Sequence, residues 1–268
     1  MLIDPDGNNA NATEYDKHDL YELCVQSPKD LVPLLRAVHG HEPTVLGEDF
    51  SGTAALSHLW VERDDTQAIA VDFDEETLNK RGEHERIAKH CCDVHAIDAA
   101  CDVLFVGNFS IGYLHTRAEL VEYLRHVKSR LNPGGVFICD TYGGESAYTL
   151  GGVHRAHPMP GGKLCRYTWE QHEGDPTTGM VTNLIHFRVE RAGVIEFELE
   201  DAFVYEWRLW SITELRDAMS DAGFSQSLVY TKLADAMDED GNAFVLPVED
   251  GQEELDENFI VLVAGRVD

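Results

Sequence analysis

The chain has 268 residues, 43% of them apolar and 26% charged, enough for one large globular domain or a domain carrying an insertion. Its formal net charge of −28 repels phosphate backbones and anionic lipid surfaces, which argues against nucleic-acid and membrane partners. No apolar run approaches bilayer length, and the start, MLIDPDGNNANATEYDKHD, lacks the basic and apolar segments of a secretory signal. The six cysteines form no C-x-x-C pair, which favours reduced thiols in a cytoplasm over a zinc site or a disulfide framework.

In chain order, DKHDLYELCVQ reads as a helix with Leu20, Leu23 and Cys24 on one face, and Ser27-Pro28 opens a second helix that Gly40 stops. TVLGE is a strand and TAALSHLWVER a helix. AIAVDFD is a continuous apolar strand ending at Asp72, and Asp74-Glu75-Glu76 starts the next helix. RIAKHCCDV is a weaker strand and CDVLFVGNFS a strong one. RAELVEYLRHVKSRL is an amphipathic helix, NPGG ends it, and VFICDTY is the fifth strand. Strands alternating with helices predict a Rossmann-like α/β fold: a seven-stranded, mostly parallel sheet with helices on both faces.

After Tyr142 the period changes to two. KLCRYTWEQH, MVTNLIHFRVER and VIEFELEDAFVYEWRLW predict an antiparallel β cap inserted after strand 5, with a hairpin turn at Arg191-Ala192-Gly193. GGESAYTLGGVHRAHPMPGG reads as a flexible loop that gates a site. Ser211 caps the helix SITELRDAMSDAGF, and SQSLVYTKL and NFIVLVAGRV are the last strands. The expected organisation is one domain over 1–268: N-terminal helices over 1–41, a core over 42–142 and 211–268, and the cap over 143–210. The loop joining the last strands carries Asp235, Asp238, Glu239, Asp240, Glu249, Asp250, Glu253, Glu254, Asp256 and Glu257 without a base. DEDGNAF lacks the full calcium-loop pattern, so a solvated acidic loop is the reading there. His154 and His157 lack companion ligands, and no metal is expected.

Ligands of parallel sheets sit beyond the carboxyl ends of the strands, where strand order reverses. These strands end in Glu48-Asp49, Asp72, Asp93, Asn108 and Asp140-Tyr142. A dinucleotide fold needs G-x-G-x-x-G for a pyrophosphate; here Glu48 and Asp49 would repel one and only Gly52 remains. A P-loop is absent too.

With these motifs the chain resembles the class I S-adenosylmethionine-dependent methyltransferases over roughly residues 16 to 266. Against that superfamily's D/E-x-G-x-G-x-G, Glu48 takes the acidic place and Gly52 the central glycine, while Phe50 and Ala54 replace the first and third. EDFSGTA, NFSIGY, TWEQ, IHF and YEWRLWSITELRDAMSDAGF are similar to a largely uncharacterised bacterial branch. The resemblance implies S-adenosylmethionine as donor and S-adenosylhomocysteine as product. It implies a turn of Glu48, Asp49, Phe50, Ser51, Gly52 and Thr53 around the donor, with Glu48 near its amino group. It further implies Asp72 on the ribose hydroxyls, Phe73 against adenine, Asp93 and Val94 at the adenine edge, Asn108 at the amino-acid end and Tyr21 closing the pocket.

Methyl transfer from a sulfonium is an in-line displacement with a good leaving group, so orientation and a dry site matter most. NFSIGY in place of NPPY, with the acidity, disfavours DNA and favours a small-molecule acceptor. The candidate acceptor wall is Tyr142, Tyr148, Trp169, Trp210 and, on AFVYEWRLW, Tyr205 and Trp207, with His186 and Arg208 as polar points and Arg208 facing a charged acceptor group. Along that strand one of the two alternating faces is expected to be core, and the sequence leaves open which. His115 is a solvent-exposed helix-entry histidine or a base. No catalytic residue is assigned, the acceptor atom stays open between nitrogen, oxygen and carbon, and the oligomeric state stays open, a homodimer included. The alternative is a protein that binds the donor without transferring its methyl group.

Overall fold

A computed structural model describes residues 15–25, 28–249 and 255–268. The polar start, Ser27, and Asp250, Glu253 and Glu254 of the acidic loop lie outside these residues. Among the described residues no helix is long and apolar enough to cross a membrane. The chain divides into two compact units, one of 28–151, 171–183, 205–249 and 255–268, the other of 15–25, 152–170 and 184–204.

α1 (Lys17–Cys24) falls in the smaller unit; α2 (Pro28–His39) is the first helix of the larger. β1 (Val45–Asp49), α3 (Ala55–Trp60), β2 (Gln67–Asp72), α4 (Glu75–Leu78), β3 (Ile87–Cys91) and β4 (Cys101–Val106) follow. α5 (Arg117–Arg130) leads into β5 (Leu131–Gly144). β6 (Gly151–Met159), β7 (Lys163–Asp175), β8 (Met180–Arg191) and β9 (Val194–Arg208) form a separate antiparallel sheet in that order. α6 (Ile212–Ala222), β10 (Gln226–Thr231), the two-residue strands β11 (Ala236–Met237) and β12 (Ala243–Phe244), and β13 (Asn258–Arg266) complete the chain.

The seven-stranded sheet has the order β10-β13-β5-β4-β1-β2-β3. β1 to β5 are parallel, and β13 is antiparallel to β5 and β10. β1 pairs β2 on one side and β4 on the other, so strand order reverses between β1 and β4. The register sets Glu48 opposite Ala70 and Phe105, and Asp49 opposite Val71 and Val106. The apolar runs of β1, β2 and β4 have few polar positions because both faces are covered. One face packs on α5 and α6 through Leu120, Leu124, Leu215 and Met219; the other packs on α2 and α3 through Leu34, Leu35, Leu56 and Trp60.

Local chemistry fixes the helix ends. Thr116 with Glu119 and Ser211 with Glu214 form capping boxes at α5 and α6, and Gly223 ends α6 with a left-handed φ of 90°. Asp74 caps α4 by accepting from the Thr77 N–H. NPGG is not a turn outside the sheet: it belongs to the start of β5, where a register shift lies between Cys101 and Val103 of the neighbouring strand. In the acidic loop the Asp238 carboxylate accepts from the backbone N–H groups of Asp240 and Asn242, which shapes the turn between β11 and β12.

Two expectations need correction in the smaller unit. The later half of the segment read as a flexible gate contains β6, an edge strand of the four-stranded sheet, so residues 152–159 are paired backbone rather than a free loop, while Gly161 and Gly162 turn the chain into β7 with left-handed φ values of 74° and 72°. Leu23 does not share the buried face of α1: it is 41% exposed, while Leu20 and Cys24 are buried. The Ala192-Gly193 turn joins β8 to β9, with left-handed φ values of 48° and 81°.

Candidate functional site

The turn after β1 places three left-handed residues within five positions. Phe50, Gly52 and Ala54 have φ values of 56°, 54° and 57°. These are the three positions that the glycine motif reserves for glycine. The left-handed conformation is therefore retained where Phe50 and Ala54 stand, at a cost of roughly 1–2 kcal/mol for each non-glycine residue. The Ser51 N–H donates to the Val71 carbonyl (3.0 Å), the Ala54 N–H to the Ser51 carbonyl (2.9 Å), and the Gly52 N–H to Asp72 Oδ2 (2.8 Å). A Cβ placed at Gly52 would meet no atom within 4 Å, so open space lies against bare backbone. Ser51 and Thr53 are buried.

The carboxylates around this turn divide the labour. Asp49 is fully buried; both its oxygens accept from Arg130 Nη1 (3.0 and 2.8 Å), and Oδ2 also accepts from the Tyr123 hydroxyl (2.8 Å). Its side chain thus belongs to the core beneath the turn, and burial together with Asp49 pushes the Tyr123 hydroxyl well above its usual range. Glu48 Oε2 accepts from the N–H (3.0 Å) and hydroxyl (2.6 Å) of Ser57 on α3. Burial pushes the Glu48 carboxyl up to about 7, against the opposing pull of the Ser57 donors.

Asp72 splits its oxygens between two backbone donors, Gly52 N–H through Oδ2 and Asp74 N–H through Oδ1 (3.0 Å). The helix cap itself is Asp74, so Asp72 is not the capping residue of α4. A carboxylate has about four lone-pair sites, so Asp72 retains acceptor capacity toward the open side. Burial raises its carboxyl. Phe73, next in the chain, is 76% exposed. Asp93 caps a short 3-10 turn through the His95 N–H (2.8 Å) and meets the His95 ring, and those hydrogen bonds hold its carboxyl low; Val94 is buried.

At the end of β4, Asn108 and Phe109 are both left-handed, with φ of 53° and 63°. The fully buried Asp140 on β5 holds them: its oxygens accept from the Asn108 N–H (3.1 Å) and the Phe109 N–H (2.7 Å), and Lys232 Nζ lies 2.9 Å from Oδ2. Gly107 before them has no room for a Cβ, which would lie 2.4 Å from the Phe105 ring. Asp140 was visible in the sequence as a strand end, but its work on the neighbouring turn was not. Lys232, far along the chain, gave no signal.

Aromatic rings gather beside this turn within the same unit. Phe50 stacks on Tyr113 (6.0 Å), Tyr113 meets Trp207 edge-on (6.0 Å), and Trp207 stacks on Tyr205 (4.3 Å). Phe109 meets Tyr142 (5.0 Å) and Trp207 (6.0 Å). Phe109, Tyr142, Val181 and Trp207 line a pocket there. The Tyr142 hydroxyl bonds to Gln171 Oε1 (3.2 Å) and receives the Asn183 amide (3.4 Å), and burial pushes it up to about 12. Gln171 and Asn183 are buried amides that sequence reading passed over. The available signal was parity: Asn183 shares the buried alternation of Val181 and Ile185 on β8.

The other acceptor candidates separate. Tyr148 is half-buried in the aromatic cluster. Trp210 is 1% exposed, its indole N–H donates to the Leu114 carbonyl (3.0 Å), and it packs in the sheet core. Arg208 stacks on Trp210 (3.9 Å), donates to the His115 carbonyl (3.2 Å) and pairs with Glu214 (3.1 Å) of the α6 capping box. The ring of His115 lies 3.0 Å from the Glu206 carbonyl. On β9 the face of Trp207 turns inward and Val204 and Glu206 are exposed.

Three candidates lie in the smaller unit. Tyr21 on α1 packs against Phe203 (5.0 Å). Trp169 is half-buried on β7. His186 Nδ1 accepts from the Asp201 N–H (3.0 Å), and Glu170 lies 3.3 Å from Nε2.

No family model and no curated protein matches the chain. Solved structures do. DesVI of Streptomyces venezuelae is 17% identical, with a TM-score of 0.67, covering 95% of this chain and 100% of that one. The sugar N-methyltransferase KedS8 of Streptoalloteichus sp. is 16% identical, with a TM-score of 0.66, covering 100% and 98%. CalS10 of Micromonospora echinaspora, an amino pentose methyltransferase solved with S-adenosylmethionine bound, is 16% identical, with a TM-score of 0.63, covering 94% and 98%. At these identities the likeness shows the fold: the chain has the Rossmann-like architecture of these proteins over nearly its whole length.

Proposed function

We propose that the chain is an S-adenosylmethionine-dependent methyltransferase acting on a small molecule. The observation that carries this reading is the turn after β1: left-handed backbone at all three glycine positions of the motif, tied through Gly52 to the carboxylate that ends β2. The chemistry of the residues fits that donor. Acidic groups line the turn and its sequence, EDFSGTA, lacks the G-x-G-x-x-G of a pyrophosphate cradle, which suits a cationic ligand without phosphates. Asp72 would take the ribose hydroxyls, Phe73 the adenine face, Asp93 and Val94 its edge, Glu48 and Ser51 to Thr53 the region of the sulfonium and amino group, and Asn108 the amino-acid end. Asp49 contributes through its backbone, since its side chain is committed to Arg130.

The donor supplies an electrophilic methyl group, and the chain's own residues orient, desolvate and hold protons. Phe109, Tyr142, Tyr205 and Trp207 would form a dry acceptor wall, with Tyr148, Arg208 and Trp210 as further candidates. The Tyr142 hydroxyl stays protonated at neutral pH, so it donates a hydrogen bond and does not act as a base. A nitrogen acceptor is the favoured case. A neutral amine already carries the attacking lone pair and needs no base, and two of the solved relatives are described as a sugar N-methyltransferase and an amino pentose methyltransferase.

The test is the melting temperature with S-adenosylhomocysteine, with NAD as the control. A shift with S-adenosylhomocysteine alone is expected. Labelled methyl transfer to a panel of amines and alcohols then separates an enzyme from a binding protein. No shift in folded protein overturns the reading.

A further inference from the structure

Cys24 closes α1 and Cys165 lies on β7, both within the smaller unit. Their sulfurs are 3.5 Å apart although 141 residues separate them in sequence. Cys24 is 6% exposed and Cys165 is fully buried. The other thiols have different neighbours: Cys91 points at the Phe73 carbonyl (3.5 Å) and Cys139 at the Val263 carbonyl (3.9 Å). The pair is asymmetric. The Cys24 S–H donates to the Cys165 sulfur, which raises the Cys24 thiol and lowers the Cys165 thiol, making Cys165 the nucleophile.

We propose that Cys24 and Cys165 form a reversible disulfide, driven by hydrogen peroxide, that fastens the end of α1 to β7. A disulfide needs the sulfurs to approach to about 2 Å, and the fraying last turn of a helix accommodates such a shift. The Cys165 thiolate attacks one peroxide oxygen; an S–O bond forms, the O–O bond breaks, and the departing hydroxide is protonated to water. The Cys24 sulfur then attacks the sulfenic acid; the S–S bond forms, the S–O bond breaks, and the Cys24 proton leaves with the hydroxyl as a second water. Two thiols are oxidised and one peroxide is reduced. Cys165 is closed to solvent and Cys24 is 6% exposed, so the small oxidant enters as the last turn of α1 frays while bulky disulfides are excluded, and the pair rests reduced in a reducing compartment and closes under peroxide. This inference stands apart from the methyltransferase reading and survives its failure.

The full chain is reduced, treated with hydrogen peroxide, alkylated under denaturing conditions and digested. A peptide pair joined through Cys24 and Cys165, lighter by two hydrogen atoms and separated by dithiothreitol, is expected. The melting temperature should rise by roughly 5–15 °C on oxidation, because the bridge closes a long loop. Cys24→Ala and Cys165→Ala should each abolish that rise. Recovery of both cysteines separately alkylated, or bridges joining other cysteines, overturns the proposal. If the alanine variants do not fold, the peptide map of the unaltered chain decides.

Discussion

In the seven-stranded unit the carboxylates of Glu48, Asp49 and Asp140 are buried and meet fixed donors, whereas in the smaller unit Glu190, Glu196 and Glu198 pair with arginines that are 46–51% exposed. In the first group Asp140 holds the turn after β4, Glu48 holds Ser57 on α3 and Asp49 holds Arg130 and Tyr123 beneath the turn after β1; the second group decorates the four-stranded sheet. The difference is one of dielectric and alternatives. A buried carboxylate stripped of its donors has no water to turn to, while an exposed one does. Charge in the larger unit therefore shapes a site, and charge in the smaller unit mostly keeps a sheet hydrated.

The sharpest way to break this contrast is Asp49→Ala. It leaves Arg130 charged and buried without its partner and should cost about 3–5 kcal/mol in a urea titration. A loss below about 1 kcal/mol would erase the distinction between the two regions.

Next comes Glu48→Gln. The Glu48 carboxyl rises from its usual 4.5 to about 7 on burial, so between these values the folded chain holds a proton that the unfolded chain has lost. Stability therefore falls as pH rises through that window, and the full penalty, up to about 3 kcal/mol, is present above pH 7. Glu48→Gln should flatten this part of the stability–pH curve. An unchanged curve would place the pH dependence elsewhere.

Asp72→Ala comes third. It should weaken S-adenosylhomocysteine binding by roughly 10- to 30-fold by calorimetry while costing only about 1 kcal/mol of stability, since two backbone N–H groups at the surface can turn to water. Equal losses of binding and folding would assign Asp72 to the scaffold alone. The smallest effect is expected from Glu198→Ala, which removes the exposed Arg188 pair and should shift stability by no more than about 0.5 kcal/mol.

The parallel strands were legible because both faces are buried and their apolar runs stop at polar ends. The Ser211 cap was legible because its chemistry is local to four residues, while the equivalent Thr116–Glu119 box was passed over. What could not be read was pairing across distance. Asp49 looked like a ligand group because nothing in EDFSGTA announces Arg130, which lies 81 residues later on a helix that reads as amphipathic. Asp140 appeared as another strand end, while its function depends on the backbone of Asn108 and Phe109, positioned by the β4–β5 pairing. The β6 segment was misread because glycine, proline and histidine composition outweighed an edge-strand pairing that sequence does not encode locally.

The Asp72 bond to the Gly52 N–H has a kinetic consequence. The turn is braced by the protein's own carboxylate, so an arriving molecule finds no loop to order and forfeits little conformational entropy there. Capture at this turn should follow a single exponential whose rate climbs linearly with ligand concentration. Differences in affinity among ligands would then reside in how long each one stays.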